Sequence, residues 1–511
     1  MNVLNLKMGL ALLAGALCVF GFAPFGHFVV PVLALAVLFA LWRLADSPRT
    51  AAWIGFAFGL GLFGVGISWV YVALHDYGHM SAWLAVPATL MFSAFIGLFP
   101  ALAGYAQARF ARAARLDSRD VCHALPALMA MAAIWVAMEW LRGTILTGFP
   151  WLTLGYAHSD SPLAGYAPLL GVYGVSLLAA VSAALLALLW QLRRRRAKFV
   201  GIVLLAVWAG GAALRGVAWT QPVGETFSVA LLQGNIDQNE KFADEGLIDT
   251  LETYRRLVLE SDARLIVLPE TALPMLREEL PPTLLTQLRN HAVENAGDVL
   301  LGAFWREGDR YYNSVFSTGE AAEQSYHKQH LVPFGEFIPL RPLLGWFING
   351  VLNIPMGDLA NGGTRQQPLN VAGQRVAVNI CYEDVFGEEI IRALPAATLL
   401  VNVTNDAWYG DSYAAAQHNQ ISQLRALESG RMMLRATNTG VTSIIDANGK
   451  VLQQLPEHEE GVLRGIARGY QGSTPYVIWS NWAVLSILIA MLAYVRVRGA
   501  RNKSTARGGP V

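Results

Sequence analysis

Seven apolar stretches fill most of the first 219 residues: Leu10 to Phe22, Phe28 to Trp42, Ala51 to Leu74, Ala82 to Ala106, Ala124 to Leu141, Leu163 to Trp190 and Phe199 to Trp219. An eighth runs from Val477 to Tyr494. In lipid every backbone N–H and C=O has to be satisfied within the protein, so runs of this length fold as helices. A spanning helix needs about 20 apolar residues. The third, fourth, sixth and seventh runs meet that length, and the first two are shorter. Gly21-Phe-Ala-Pro-Phe-Gly26 between those two reads as a hairpin or a re-entrant bend. Lys7 precedes the first run, as in a signal peptide, but the next run follows at once and no small-residue cleavage site stands out, so a cleavable signal is not expected.

With 54% hydrophobic and 15% charged residues, the 511-residue chain is expected to be a membrane protein with a sizeable soluble part. Its net charge of +1 offers no global attraction to nucleic acid, so basic residues matter where they cluster. They cluster in alternate loops: Lys7; Arg43 and Arg49; Arg109, Arg112, Arg115 and Arg119; Arg193 to Arg196 with Lys198; and Arg496, Arg498, Arg501, Lys503 and Arg507. The loops at His75 to Met80 and Thr144 to Ser161 contain neither Lys nor Arg. By the positive-inside rule both termini are cytoplasmic, and the segment from Thr220 to Pro475 lies on the other side.

That segment has a different pattern. Short β-rich stretches (227–232, 265–268, 299–304, 314–317, 376–380, 399–403 and 441–446) alternate with helix-like ones at Glu245 to Ser261, Pro282 to Asn295 and Ala414 to Leu434. Asp446-Ala-Asn-Gly-Lys450 is a hairpin signal. Alternation of this kind predicts a layered α/β domain. The expected organisation is 1–219 membrane helices, 220–475 soluble α/β domain, 476–496 a final span and 497–511 a tail. Arg425, Glu428, Arg431 and Arg435 fall at helical spacing and predict a salt-linked helix face.

Three cysteines, Cys18, Cys122 and Cys381, make no disulfide framework. Cys381 ends the strand-like run Val376-Ala-Val-Asn-Ile-Cys381-Tyr-Glu-Asp384. Glu270 ends another, Leu265-Ile-Val-Leu-Pro-Glu270, and Lys328 stands in Tyr326-His-Lys328-Gln-His-Leu-Val-Pro-Phe-Gly-Glu336. A thiol attacks a carbonyl, a carboxylate takes the thiol proton, and an ammonium stabilises the oxyanion, so these three types together point to acyl chemistry.

These strings resemble the Glu-Lys-Cys signature of the nitrilase, or carbon-nitrogen hydrolase, superfamily. With the apolar runs around them, the whole chain resembles the apolipoprotein N-acyltransferase family of the bacterial inner membrane. Leu331-Val-Pro-Phe-Gly-Glu336-Phe-Ile-Pro339 and Thr404-Asn-Asp-Ala-Trp408-Tyr-Gly410 carry the likeness further. The resemblance implies a polytopic membrane domain of about eight transmembrane helices and a periplasmic nitrilase-like α-β-β-α sandwich. It implies Glu270 as general base, Lys328 as oxyanion cation and Cys381 as nucleophile. Glu336 and Glu383 would be supporting acids, Tyr382 would lend its backbone N–H to the oxyanion site, and Phe242 would stand in a substrate-binding loop where a Trp is expected. It also implies a phospholipid acyl donor, typically phosphatidylethanolamine, and as acceptor the α-amino group of a diacylglyceryl-cysteine at a lipoprotein N-terminus. No metal, cofactor or nucleic acid enters that chemistry.

Two other features are weaker. His75-Asp-Tyr-Gly-His79 lacks the further ligands of a metal site and reads as an interfacial loop. Glu139 near Arg142 reads as a helix-end pair. A membrane-tethered amidase with the same triad is the competing enzyme, and a catalytically inert lipid-binding scaffold is the non-enzymatic alternative.

Overall fold

The computed structural model describes residues 3–114, 121–189, 192, 194–241, 244–338 and 358–507. The chain divides into two units. The first comprises Met1–Ser68, Val86–Val217 and Trp479–Val511, and the second Trp69–Ala85 and Ala218–Ile478.

The first unit is helical. It contains α1 (Val3–Cys18), α2 (Val29–Arg43), α3 (Pro48–Gly66), most of α5 (Ala82–Ala113), α6 (Val121–Arg142), α7 (Ala167–Leu189), α8 (Arg194–Leu214) and α14 (Trp482–Arg507). Among the described residues six helices are long and apolar enough to cross a membrane, against about eight expected. The second apolar run makes a helix of only 15 residues, which at 1.5 Å per residue falls short of a core about 30 Å thick. The last run is split between α13 (Pro475–Trp479) and α14, with Ser480 in the left-handed region at φ +50. The Gly21 to Gly26 break forms a tight connection with Gly26 at φ +69, and α1 packs on α2 beyond it.

Small residues let the helices approach closely. A Cβ on Gly15 would stand 2.0 Å from the Phe58 carbonyl, and one on Gly61 2.0 Å from that of Leu12, so α1 and α3 touch backbone to backbone. Ser47 caps α3, accepting from the Thr50 N–H at 3.0 Å, with Pro48 at the first helical position. In α8, by contrast, Phe199, Ile202 and Leu205 are more than 60% exposed within the protein, the surface expected of a helix facing lipid.

The third apolar run does not stay in one piece. Its helix α3 ends at Gly66, and α4 (Trp69–Val72) and a π turn at Ala73–Tyr77 follow. Both belong to the second unit.

The second unit contains two sheets. The first has the order β13-β1-β2-β4-β5-β6, with β3 also against β4: β1 (Gln221–Gln233), β2 (Leu265–Val267), β3 (Leu273–Leu276), β4 (Asp298–Glu307), β5 (Arg310–Gly319), β6 (Ser325–His327) and β13 (Gly461–Gln471). The second has the order β12-β11-β10-β9-β8-β7: β7 (Leu369–Val371), β8 (Gln374–Ile380), β9 (Leu399–Thr404), β10 (Met433–Thr437), β11 (Ser443–Ile445) and β12 (Val451–Gln454). β1 contacts β10 and β5 contacts β8, so the sheets face each other. Apolar side chains of α9 (Asp244–Leu259) and α10 (Pro282–Glu294), among them Leu257, Val258 and Leu288, cover the outside of the first sheet. Ile390 of α11 (Gly387–Ile390) and Ala426 of α12 (Tyr413–Ser429) cover that of the second. The result is the expected α-β-β-α sandwich.

One helix differs from its expected length. The pattern from Ala414 to Leu434 predicts one helix, but α12 stops at Ser429, where Gly430 takes φ +64 as a left-handed cap. Met433–Thr437 is then the strand β10, parallel to β9. The expected charged helix face dissolves with it. Arg425 and Glu428 pair within α12 at 3.1 Å, Arg431 lies in the turn, and Arg435 belongs to the sheet. The spacing was helical, but the glycine overrides it.

Candidate active site

Glu270 and Cys381 follow the C-terminal ends of strands in parallel pairs, and Lys328 follows β6, which pairs antiparallel with β5. Ile380 of β8 pairs with Val403 of β9, and Cys381 follows at once. Cys381 opens a tight turn, Cys381–Val385, at φ +52, a conformation that costs a non-glycine residue energy and persists only where its surroundings enforce it. Asn402 of β9 supports it by donating to the Cys381 carbonyl at 3.2 Å. Glu270 comes three residues after β2, and Lys328 directly after β6, its N–H on the Asn313 carbonyl at 2.8 Å.

The charged groups are buried together. Lys328 Nζ donates to Glu270 Oε1 at 3.1 Å and to Glu336 Oε1 at 2.9 Å. Asn313 Nδ2 bridges the same two oxygens at 2.7 and 3.1 Å. Glu270 Oε2 accepts from the Asn405 N–H at 3.0 Å, which ties the carboxylate to the end of β9 in the other sheet. Glu336 Oε2 accepts from the Val332 N–H at 2.8 Å. An ammonium has three N–H bonds; among the described residues the third of Lys328 has no acceptor.

Burial lowers the Lys328 pKa, but Glu270 and Glu336, with a smaller push from Cys381, hold it well above the ordinary lysine range, so it remains an ammonium. Burial and then the Glu270 charge push the Cys381 thiol well above its ordinary range, against the opposing pull of Lys328. Cys381 at rest is therefore a thiol, and attack by it would need a base.

Glu383 has the form of an anchor. It is fully buried, and its carboxylate accepts from the backbone N–H groups of Ile380 at 2.6 Å, Gln329 at 2.6 Å and His330 at 3.1 Å, and from the Tyr326 hydroxyl. It thus ties the Cys381 turn to the segment carrying Lys328. Burial raises its pKa to about 7 despite those donors. The Tyr382 ring packs against Phe386 and His330, and its backbone N–H directly follows Cys381. Phe242 lies outside the described residues.

Beneath Cys381 is a buried lattice that the sequence did not reveal. His418 faces Asp384 through Nε2 at 2.8 Å and Asp406 through Nδ1 at 3.0 Å, and Arg435 faces the same pair at 3.4 and 2.9 Å. Burial and Arg435 both lower the His418 pKa, yet the two aspartates outweigh them and raise it to about 9. Asn405 and Asp406 stand in the string Thr404 to Gly410 that carries the resemblance, and Asn313 had only a faint signal as a polar residue beside an apolar strand run. His418 had none, and Arg435 was read by its spacing as part of a charged helix face rather than of the sheet.

Among the other features, Glu139 accepts from Trp135 Nε1 at 3.0 Å and the Leu154 N–H at 2.9 Å. Arg142 donates to the Trp151 carbonyl at 2.6 Å. His75 Nδ1 lies 2.8 Å from the Met80 carbonyl.

Comparison with known proteins adds sequence relatives. Residues 14–185 match the apolipoprotein N-acyltransferase N-terminal domain, and residues 228–469 match the carbon-nitrogen hydrolase family. The apolipoprotein N-acyltransferase of Nitrosomonas europaea is 52% identical over 482 residues, covering 94% of this chain and 94% of its own length. That of Methylococcus capsulatus is 43% identical over 504 residues, covering 98% of each. That of Ralstonia nicotianae is 47% identical over 502 residues, covering 96% of this chain and 94% of its own.

Proposed function

Because this chain belongs to the apolipoprotein N-acyltransferase family, which performs the final acylation step of lipoprotein maturation, we propose that Glu270, Lys328 and Cys381 are the residues that perform it here. The observation that carries this reading is the buried ammonium of Lys328, fixed by two carboxylates with one N–H left without an acceptor among the described residues. In the first half-reaction Cys381 Sγ attacks the ester carbonyl of a phospholipid while Glu270 takes the thiol proton. The oxyanion meets the remaining N–H of Lys328, with the Tyr382 backbone N–H as a second donor. Collapse breaks the C–O bond, and the departing lysophospholipid oxygen takes the proton back from Glu270, leaving a thioester.

In the second half-reaction the α-amino nitrogen of a diacylglyceryl-cysteine attacks that thioester. An amide bond forms, the C–S bond breaks, and the amine's proton returns to Cys381 through Glu270. Phosphatidylethanolamine is the proposed donor. Glu336 keeps Lys328 in place, Glu383 fixes the turn, and Phe242 belongs to the substrate loop. Both substrates are lipids, which suits a domain held at the outer face of the inner membrane with both termini cytoplasmic. The alternating Arg and Lys content of the loops supports that orientation.

Purified protein given acyl-labelled phosphatidylethanolamine and a peptide bearing diacylglyceryl-cysteine tests the reading. The label should appear as an amide on the peptide. Free fatty acid with no acylated peptide would make this a membrane-tethered hydrolase instead. A reporter active only outside the cytoplasm should work when fused at Gln324 and fail at Arg195. The reverse pattern would overturn the orientation.

A further inference from the structure

Lys241 lies in the turn after β1 and is 1% exposed, as deeply buried as Lys328. Its backbone N–H closes that turn on the Asp237 carbonyl at 3.1 Å. Its ammonium reaches Thr271 Oγ1 at 3.1 Å and the Glu270 backbone carbonyl at 3.5 Å. It holds the backbone beneath Glu270 rather than its carboxylate.

That backbone needs holding. Thr271 is at φ +45, a left-handed conformation that a β-branched residue takes only under constraint. Gly302 of β4 supplies one side of the constraint. A Cβ there would stand 2.2 Å from the Pro269 carbonyl and 2.7 Å from the Thr271 nitrogen, so only a glycine lets the turn press this close to the sheet. Lys241 supplies another, from a different loop.

We infer that Lys241 is a positioning residue for acyl transfer: its ammonium clamps the strained Glu270–Thr271 turn and so keeps the Glu270 carboxylate in register with Asn313, Lys328 and Asn405. This rests on Glu270 being the base. Burial lowers the Lys241 pKa to about 8, with the Glu270 carboxylate opposing that fall. Among the described residues Glu270 is the ionisable group acting on it, and Thr271 is its neutral partner. As pH rises through about 8 the ammonium loses its proton, the clamp weakens, and acylation slows.

The test measures acyl-Cys381 formation by the full chain from phosphatidylethanolamine micelles across that pH range, for the wild type, Lys241→Met, Lys241→Met with Thr271→Gly, Lys241→Arg and Glu270→Gln. Lys241→Met should slow acylation on the order of 10- to 100-fold, the cost of a misplaced catalytic group. It should also abolish the decline near pH 8. Thr271→Gly should restore part of the lost rate, since glycine takes a positive φ without strain. Lys241→Arg keeps a charge that does not titrate there, so it too should lack the decline, and it answers the question if Lys241→Met fails to accumulate. A wild-type rate in Lys241→Met, an unchanged decline in either Lys241 variant, or no rescue by Thr271→Gly would overturn the inference. If Glu270→Gln acylates normally, the reading of Glu270 as base has failed. If Glu270→Gln is inert and Lys241→Met is normal, only the clamp has failed.

Discussion

Lys328→Met removes the ammonium at the centre of the site while keeping an unbranched side chain to fill its space. Lys328 is 1% exposed and sits 3.1 Å from Glu270 and 2.9 Å from Glu336. Two losses combine. Removing one oxyanion donor costs about 3–4 kcal/mol, or roughly 10²–10³ in rate. The second loss concerns the base. Asn313 Nδ2 already bridges the two carboxylates at 2.7 and 3.1 Å, and without a cation between them one will bind a proton. A protonated Glu270 cannot accept the thiol proton, and general-base catalysis contributes about 10²-fold or more. Single-turnover acylation of Cys381 from phospholipid should therefore slow by at least about 10³-fold. Thermal unfolding should show a loss of about 3–5 kcal/mol, the usual cost of breaking a buried ion pair by removing one partner. Acylation by Lys328→Met within tenfold of wild type, in protein shown to be folded, would refute both the oxyanion role and the electrostatic argument.

The lattice beneath Cys381 should make stability depend on pH. His418 is raised to about 9 from its ordinary 6.5, so its contribution is complete below 6.5 and is lost as pH rises through about 9. At about 1.4 kcal/mol per pH unit that contribution is about 3 kcal/mol, and the wild type's advantage over His418→Gln in thermal unfolding should disappear across this window. An advantage that does not change with pH would show that His418 does not carry the charge. Gly430→Ala should destabilise the second unit, because the cap stands at φ +64 and a Cβ would meet the Thr220 side chain at 2.6 Å. An unchanged unfolding midpoint would contradict the assignment of Gly430 as the stop between α12 and β10.

The layered α/β fold was legible because its central strands, such as β2, β8, β9 and β10, are buried on both faces and appear as short apolar runs between amphipathic helices. Cys381 and Glu270 were legible because each stands at or beside the end of such a run, and Lys328 because of the string Tyr326 to Glu336 around it. β10 was not, since Arg431 to Arg435 continues the spacing of α12 and only the left-handed Gly430 separates them. β6 was missed because three residues are too few to show periodicity. The lattice of Asp384, Asp406, His418 and Arg435 was invisible for a different reason. Its members lie in a turn, a second turn, a helix and a strand, and what joins them is the parallel pairing of β8, β9 and β10. The short second helix and the split last run show the same limit in the membrane unit, where apolar composition fixed the helical state but not helix length.

The central claim is that Cys381 carries the acyl group between two lipids. The direct measurement is the intact mass of the purified protein after incubation with phosphatidylethanolamine alone and then with a diacylglyceryl-cysteine peptide. The account predicts a fatty-acyl adduct on Cys381 that neutral hydroxylamine removes, that persists without acceptor, that the peptide discharges, and that is missing from Cys381→Ala. Acyl transfer to the peptide at the wild-type rate by Cys381→Ala, or with no adduct ever formed on Cys381, would contradict it.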